Sequence, residues 1–174
     1  MHLGFSRPIL LVALLFMAGC SDYASRWQNP PSFVAGKDLY EGSYFGNWES
    51  SQYRKTSGKL WCILLRDREN KDEYVASFRA TWHGIFASEH TVRLKVKERR
   101  RENGVPVAIF EGAAQIKMWI GSGQYRCSGK LTPTSLQADY DASYDRGTFT
   151  MKLTQKPAPG VQIRAAGSFE QRRH

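Results

Sequence analysis

Three kinds of residue in this chain could carry chemistry: paired cysteines, paired histidines and two charge-dense runs. Cys62 and Cys127 remain after a first cysteine, Cys20, is set aside. In an oxidising compartment an even pair suggests a disulfide. Closing the loop between them would stabilise the fold by roughly 4 kcal/mol in the chain-entropy model. The other reading is two separate buried thiols, because cysteine is often a small core residue. His83 and His90 flank "GIFASE" beside Trp82, but Glu89 is the one carboxylate close by and no thiolate pair joins them. That set supports a zinc site poorly, and no metal is expected. The run "DYDASYDRG" at 139–147 lacks the glycine and closing glutamate of a calcium loop. Alternating surface carboxylates on a strand account for it better.

The run "RLKVKERRREN" at 93–103 places Arg93, Lys95 and Lys97 on one strand face and Arg99, Arg100 and Arg101 in the adjoining turn. It reads either as a patch for anionic headgroups or an acidic partner, or as a lysine-rich strand that resists edge pairing. No serine sits in a nucleophile elbow, no glycine-rich phosphate loop occurs and no spaced acid pair marks a cleft. The expectation is a protein without catalytic residues and without a cofactor.

The elements that must position these residues are strands. Tyr74, Ala76, Phe78, Ala80 and Trp82 alternate with Val75, Ser77, Arg79 and Thr81, and Val92, Leu94 and Val96 alternate with basic residues. Period two marks half-buried strands. Segments are expected near 43–49, 58–66, 73–82, 86–97, 105–113, 115–120, 124–131, 135–144 and 147–153, with a further strand possible in "GVQIRAAGSF". Turn clusters separate them, and Asn103-Gly104 is the strongest hairpin signal. An antiparallel meander of this many strands is best relieved of exposed edges by closing on itself. The fold class expected is all-β, an antiparallel up-and-down β-barrel over residues 37–153, followed by a tail at 154–174.

The chain opens with one arginine, Arg7, then an uncharged run from Ile9 to Ala18 that is too short to span a bilayer. That is the layout of a signal peptide over residues 1–19. Met17, Ala18, Gly19 and Cys20 resemble the lipobox of bacterial lipoproteins. The resemblance implies a diacylglycerol thioether on Cys20 and cleavage in front of it. The membrane is then a partner through lipidated Cys20, with residues 20–36 as anchor and linker. Ser21 rather than an aspartate follows the cysteine, which in that family implies the outer membrane, facing the periplasm. The net charge of +9 draws such a protein to anionic surfaces. The envelope compartment speaks against nucleic acid.

Gly46, Asn47 and Trp48 in "YEGSYFGNWES" resemble the Gly-x-Trp that opens the first strand of lipocalins and related calycin barrels. The resemblance implies that Trp48 closes one end of the barrel, with Arg146 in "DRGTF" as the counterpart above it. It also extends from Tyr44 to Leu153 as a similarity to uncharacterised envelope proteins with lipocalin-like barrels.

Two functions follow as expectations. In the first, Trp61, Phe78, Trp82, Phe86, Trp119 and Tyr125 line an interior that takes a small apolar or amphipathic ligand. In the second, a solid barrel docks on an anionic envelope component or partner through its basic face, as an assembly protein or a hydrolase inhibitor would.

Overall fold

Period-two alternation closes into a complete cylinder. The computed structural model describes residues 21–31, 38–53, 56–82, 86–118, 121–157. Eight strands follow in chain order: β1 (Gly42–Ser50), β2 (Ser57–Arg66), β3 (Glu73–Trp82), β4 (Phe86–Glu102), β5 (Val105–Met118), β6 (Gly121–Thr132), β7 (Ser135–Ala142) and β8 (Asp145–Gln155). Each pairs antiparallel with its neighbours in sequence, and β1 pairs with β8 to close the barrel. The chain is therefore an up-and-down barrel without a free sheet edge.

Two expected elements merge and one is new. The segments expected at 105–113 and 115–120 are a single strand, β5, and the possible strand in "GVQIRAAGSF" lies outside the described residues. Within the stretch read as a linker, Ser21–Gln28 forms a helix, α1. It lies across the outside of β1–β3. The Tyr23 hydroxyl donates to the Ser77 carbonyl at 3.0 Å, Trp27 Nε1 donates to the Tyr44 carbonyl at 3.4 Å, and the Ser43 hydroxyl donates to the Trp27 carbonyl. Ser43, Ile63 and Ser77 form one row across the three strands. Ile63 points outward from that row, yet the helix leaves it only 1% exposed.

The β4–β5 turn bears out its sequence signal. Asn103 and Gly104 have φ of 49° and 81°, the left-handed pair that a two-residue hairpin loop requires. A bulge between Val96 and Glu98 precedes it. The extra residue shifts the alternation, so that Arg99 opposes buried Ala108 and turns over the end of the barrel.

That end is sealed. Asp38 accepts from the Tyr74 hydroxyl at 2.9 Å and from the backbone of Tyr40 at 2.8 Å, and it faces Arg66 at 3.6 Å. The Arg99 guanidinium lies 5.9 Å from the Tyr40 ring centre and bonds Asp72 and the Lys71 carbonyl. Lys156 reaches back to the carbonyls of Leu39 and Glu41. Behind this network the barrel is packed with Tyr44, Leu64, Tyr74, Leu94, Phe110, Leu131, Leu136 and Met151, all fully buried.

Candidate functional site

The opposite end, where β3 leads to β4 and β5 to β6, is built differently. Alternation along β3, β4, β6, β7 and β8 turns Phe78, His90, Tyr125, Tyr140 and Phe149 inward, and their rings touch in series. Centroid distances are 5.6 Å for Phe149–Phe78, 5.5 Å for Phe78–His90, 5.5 Å for His90–Tyr125 and 6.1 Å for Tyr125–Tyr140. The result is a belt of five rings across the interior. Such contacts each add about 0.5–1.5 kcal/mol beyond area burial. Beyond the belt the described inner-face positions include the small Ala80, Ser88, Ala114, Gly123 and Ala142 beside the larger Trp48 and Ile116. The plugged end thus stands opposite a mouth whose described inner positions lie above an aromatic belt.

Polar groups in the belt are few and specific. His90 is stacked on Phe78, its Nδ1 is buried without a hydrogen-bond partner, and burial lowers its pKa to about 4. The imidazole is therefore neutral at pH 7. The Tyr140 hydroxyl donates to Asp145 at 2.7 Å, and Ser50 bonds the same carboxylate at 2.6 Å. Burial, followed by the Asp145 carboxylate, raises the Tyr140 pKa and keeps it a donor.

The cysteines are not bridged. Cys62 on β2 and Cys127 on β6 are both free and buried. In a ring of eight strands these two are four apart, on opposite walls. With strands about 4.8 Å apart and tilted about 40°, the cylinder is about 16 Å across, whereas a disulfide needs Cα atoms within about 7 Å. Burial pushes the Cys127 thiol up to about 12 and raises Cys62 well above the ordinary range, with Cys127 adding to the shift.

Of the residues expected to line a pocket, Phe78 and Tyr125 face the interior. Trp61 does not: Leu60 and Cys62 on either side are inward, so alternation turns it outward, where it packs 5.2 Å from Phe45. Trp82 and Phe86 pair at the end of the β3–β4 ladder, and Trp119 lies outside the described residues, as does His83. The belt members His90, Tyr140 and Phe149 were not singled out as lining residues. Their signal was the same alternation, followed strand by strand. Among the described residues, no three His, Cys, Asp or Glu side chains converge into a metal set.

Trp48 does stand at the mouth end, where its indole N–H donates to the Thr81 carbonyl at 3.1 Å. It lies against Gly58, where an added Cβ would collide with the Thr81 carbonyl oxygen and come within 2.6 Å of Trp48 Nε1. Arg146 is exposed on the outside of β8 and does not cover Trp48. The lipocalin-like pairing of these two is therefore not made.

The basic run divides into separate environments. Arg93 pairs with Asp67 at 3.1 Å, Lys97 with Glu111 at 2.8 Å, and Arg99 with Asp72 at 3.2 Å. Arg100 pairs with Glu98 and Glu102, while Arg101 bonds the Gly104 carbonyl. Lys95 alone of the six has no such partner among the described residues. Arg99, Arg100 and Arg101 also belong to the strand β4 rather than to a turn.

No protein-family model matches the chain, and no curated protein matches it. Among solved structures, a de novo designed fluorescence-activating β-barrel is similar, with 14% sequence identity and a TM-score of 0.42 over 67% of this chain and 94% of the designed one.

Proposed function

We propose that this is a lipid-anchored barrel of the bacterial cell envelope that takes a small amphipathic molecule into its mouth. The observation that carries this reading is the ring belt beneath small inner-face residues. It offers an apolar floor of stacked and tilted rings. The anchor is the thioether on Cys20, and two acyl chains or more suffice for stable attachment.

The docking alternative draws less support. Five of the six basic residues in the 93–101 run already engage carboxylates or a carbonyl.

Native mass spectrometry of the full chain from envelope extracts, in a neutral detergent, tests the reading. The expected result is an added non-covalent mass that disappears in Ala114→Trp, which fills the mouth without touching the plugged end. A bare chain, or an added mass unchanged in Ala114→Trp, would overturn it.

A further inference from the structure

The outer wall of β4–β7 carries a concavity of about 570 Å³. Its floor is low because Gly112, Ala113 and Ser128 are small. Cross-strand register sets two rows over it. One runs Lys95–Glu111–Ser128–Asp139 and the other Arg93–Ala113–Arg126–Asp141. Lys95 and Arg93 stand on β4 and Asp139 and Asp141 on β7, with Glu111, held by Lys97, and Arg126 on the strands between them.

Most of the cations are internally engaged. Arg93 bonds Asp67, Lys97 bonds Glu111 and Arg126 bonds Gln124 at 3.1 Å. Among the described residues, Lys95, Asp139 and Asp141 have no hydrogen-bond or ion-pair partner. Lys95 and Asp139 stand three strand spacings apart, about 14 Å, which is farther than the two side chains reach toward each other. A ligand with an anion at one end and a hydrogen-bonding cation at the other spans that interval.

We propose that this groove binds a phosphoethanolamine group. The phosphate lies over Ala113, within reach of Lys95, Arg126 and the Ser128 hydroxyl, while Lys97 holds the Glu111 carboxylate, and the primary ammonium lies between Asp139 and Asp141. Two methylenes separate the two charges, comparable with one strand spacing of about 4.8 Å. Charge-assisted hydrogen bonds at both ends give selectivity: inorganic phosphate lacks the ammonium, and phosphocholine has no N–H to donate to the aspartates. The group exists as a lipid headgroup and as a free or sugar-linked substituent, and the site recognises the chemistry common to these.

The test follows the Ala113 and Ser128 amide resonances of the full chain in dodecylmaltoside. Phosphoethanolamine is expected to shift them saturably, with phosphocholine and inorganic phosphate binding at least about tenfold more weakly. Asp139→Asn with Asp141→Asn should erase the preference for ethanolamine over choline, while Lys95→Gln should weaken all three ligands. These positions are exposed, so the barrel itself is not at risk. Equal affinity for the three ligands, shifts that never saturate, or a preference that survives the double aspartate change would overturn the proposal. Shifts of the same resonances when phosphatidylethanolamine, but not phosphatidylcholine, is added to the micelles would assign the bilayer headgroup as source. Shifts with soluble phosphoethanolamine alone would assign the free or sugar-linked group.

Discussion

At the residue scale, His90 links burial to pH. Its folded pKa of about 4 lies below the ordinary 6.5, so between those values the unfolded chain binds a proton that the folded chain does not. Stability therefore rises with pH through this window and is lost as pH falls from 6.5 toward 4. Between pH 7 and pH 4.5 the loss from this residue is about 2–3 kcal/mol. Urea midpoints of wild type and His90→Phe at the two pH values isolate it: the variant should show the shallower dependence, and parallel curves would refute the assignment. The thiols behave in the opposite chemical sense, since raised pKa values keep Cys62 and Cys127 protonated and inert. Iodoacetamide at pH 8 should spare both in the native chain and modify both after denaturation, whereas a denatured mass two hydrogens light would show a bridge after all. Alternation turns Cys62, with Leu60 and Leu64, and Cys127, with Tyr125 and Leu131, to inner faces, but that β2 and β6 stand on opposite walls depends on the strand count. Trp61 is a simpler case. A residue between inward Leu60 and Cys62 has to face out, so its bulk and apolarity outweighed the phase of its own strand.

At the element scale, the legible parts were those with clean alternation. β3, β4, β7 and β8 lie within a few residues of their expected ends, except that β4 runs on to Glu102. The failure in β5 has a physical cause: "EGAA" at 111–114 places Gly112 and Ala114 on the inner face, and small residues carry almost no hydrophobic signal, so one strand read as two. α1 was missed because it is eight residues long, too short to be stable alone. Its only mark was Tyr23 and Trp27, four apart on one face. The helix holds because it docks, so Trp27→Ala should cost about 2–3 kcal/mol and expose Ile63, seen as a lower melting temperature with faster amide exchange at Ile63 and Ser77. An unchanged melt with unchanged exchange would mean that the barrel wall does not need the helix. A second change probes the mouth wall. Gly58→Ala forces a Cβ into the Thr81 carbonyl and against Trp48, and overpacking of this kind costs about 1–3 kcal/mol. The near-ultraviolet signal of Trp48 should change with it.

At the scale of the whole molecule, one wall is covered and the other is open. α1 crosses β1–β3, and the groove with Lys95, Asp139 and Asp141 lies on β4–β7. Helix α1 begins at Ser21, directly after Cys20, so a lipid on Cys20 is joined to a docked helix with no spacer between them. Polar, proline-containing composition suggested a flexible tether, but the packing of Tyr23 and Trp27 makes the first turns part of the barrel. With the proposed lipid on Cys20, that docking would set an orientation, with the β1–β3 wall toward the bilayer and the β4–β7 groove away from it. In vesicles containing a nitroxide-labelled headgroup, amide relaxation of the lipidated chain should rise at Phe45, Trp61 and Val75 and stay low at Lys95, Ser128 and Asp139. Trp27→Ala frees the helix from the wall and should even out the two sides. Relaxation that is even in the wild type would show that the helix does not orient the barrel, and relaxation strongest over β4–β7 would show that the groove faces the bilayer.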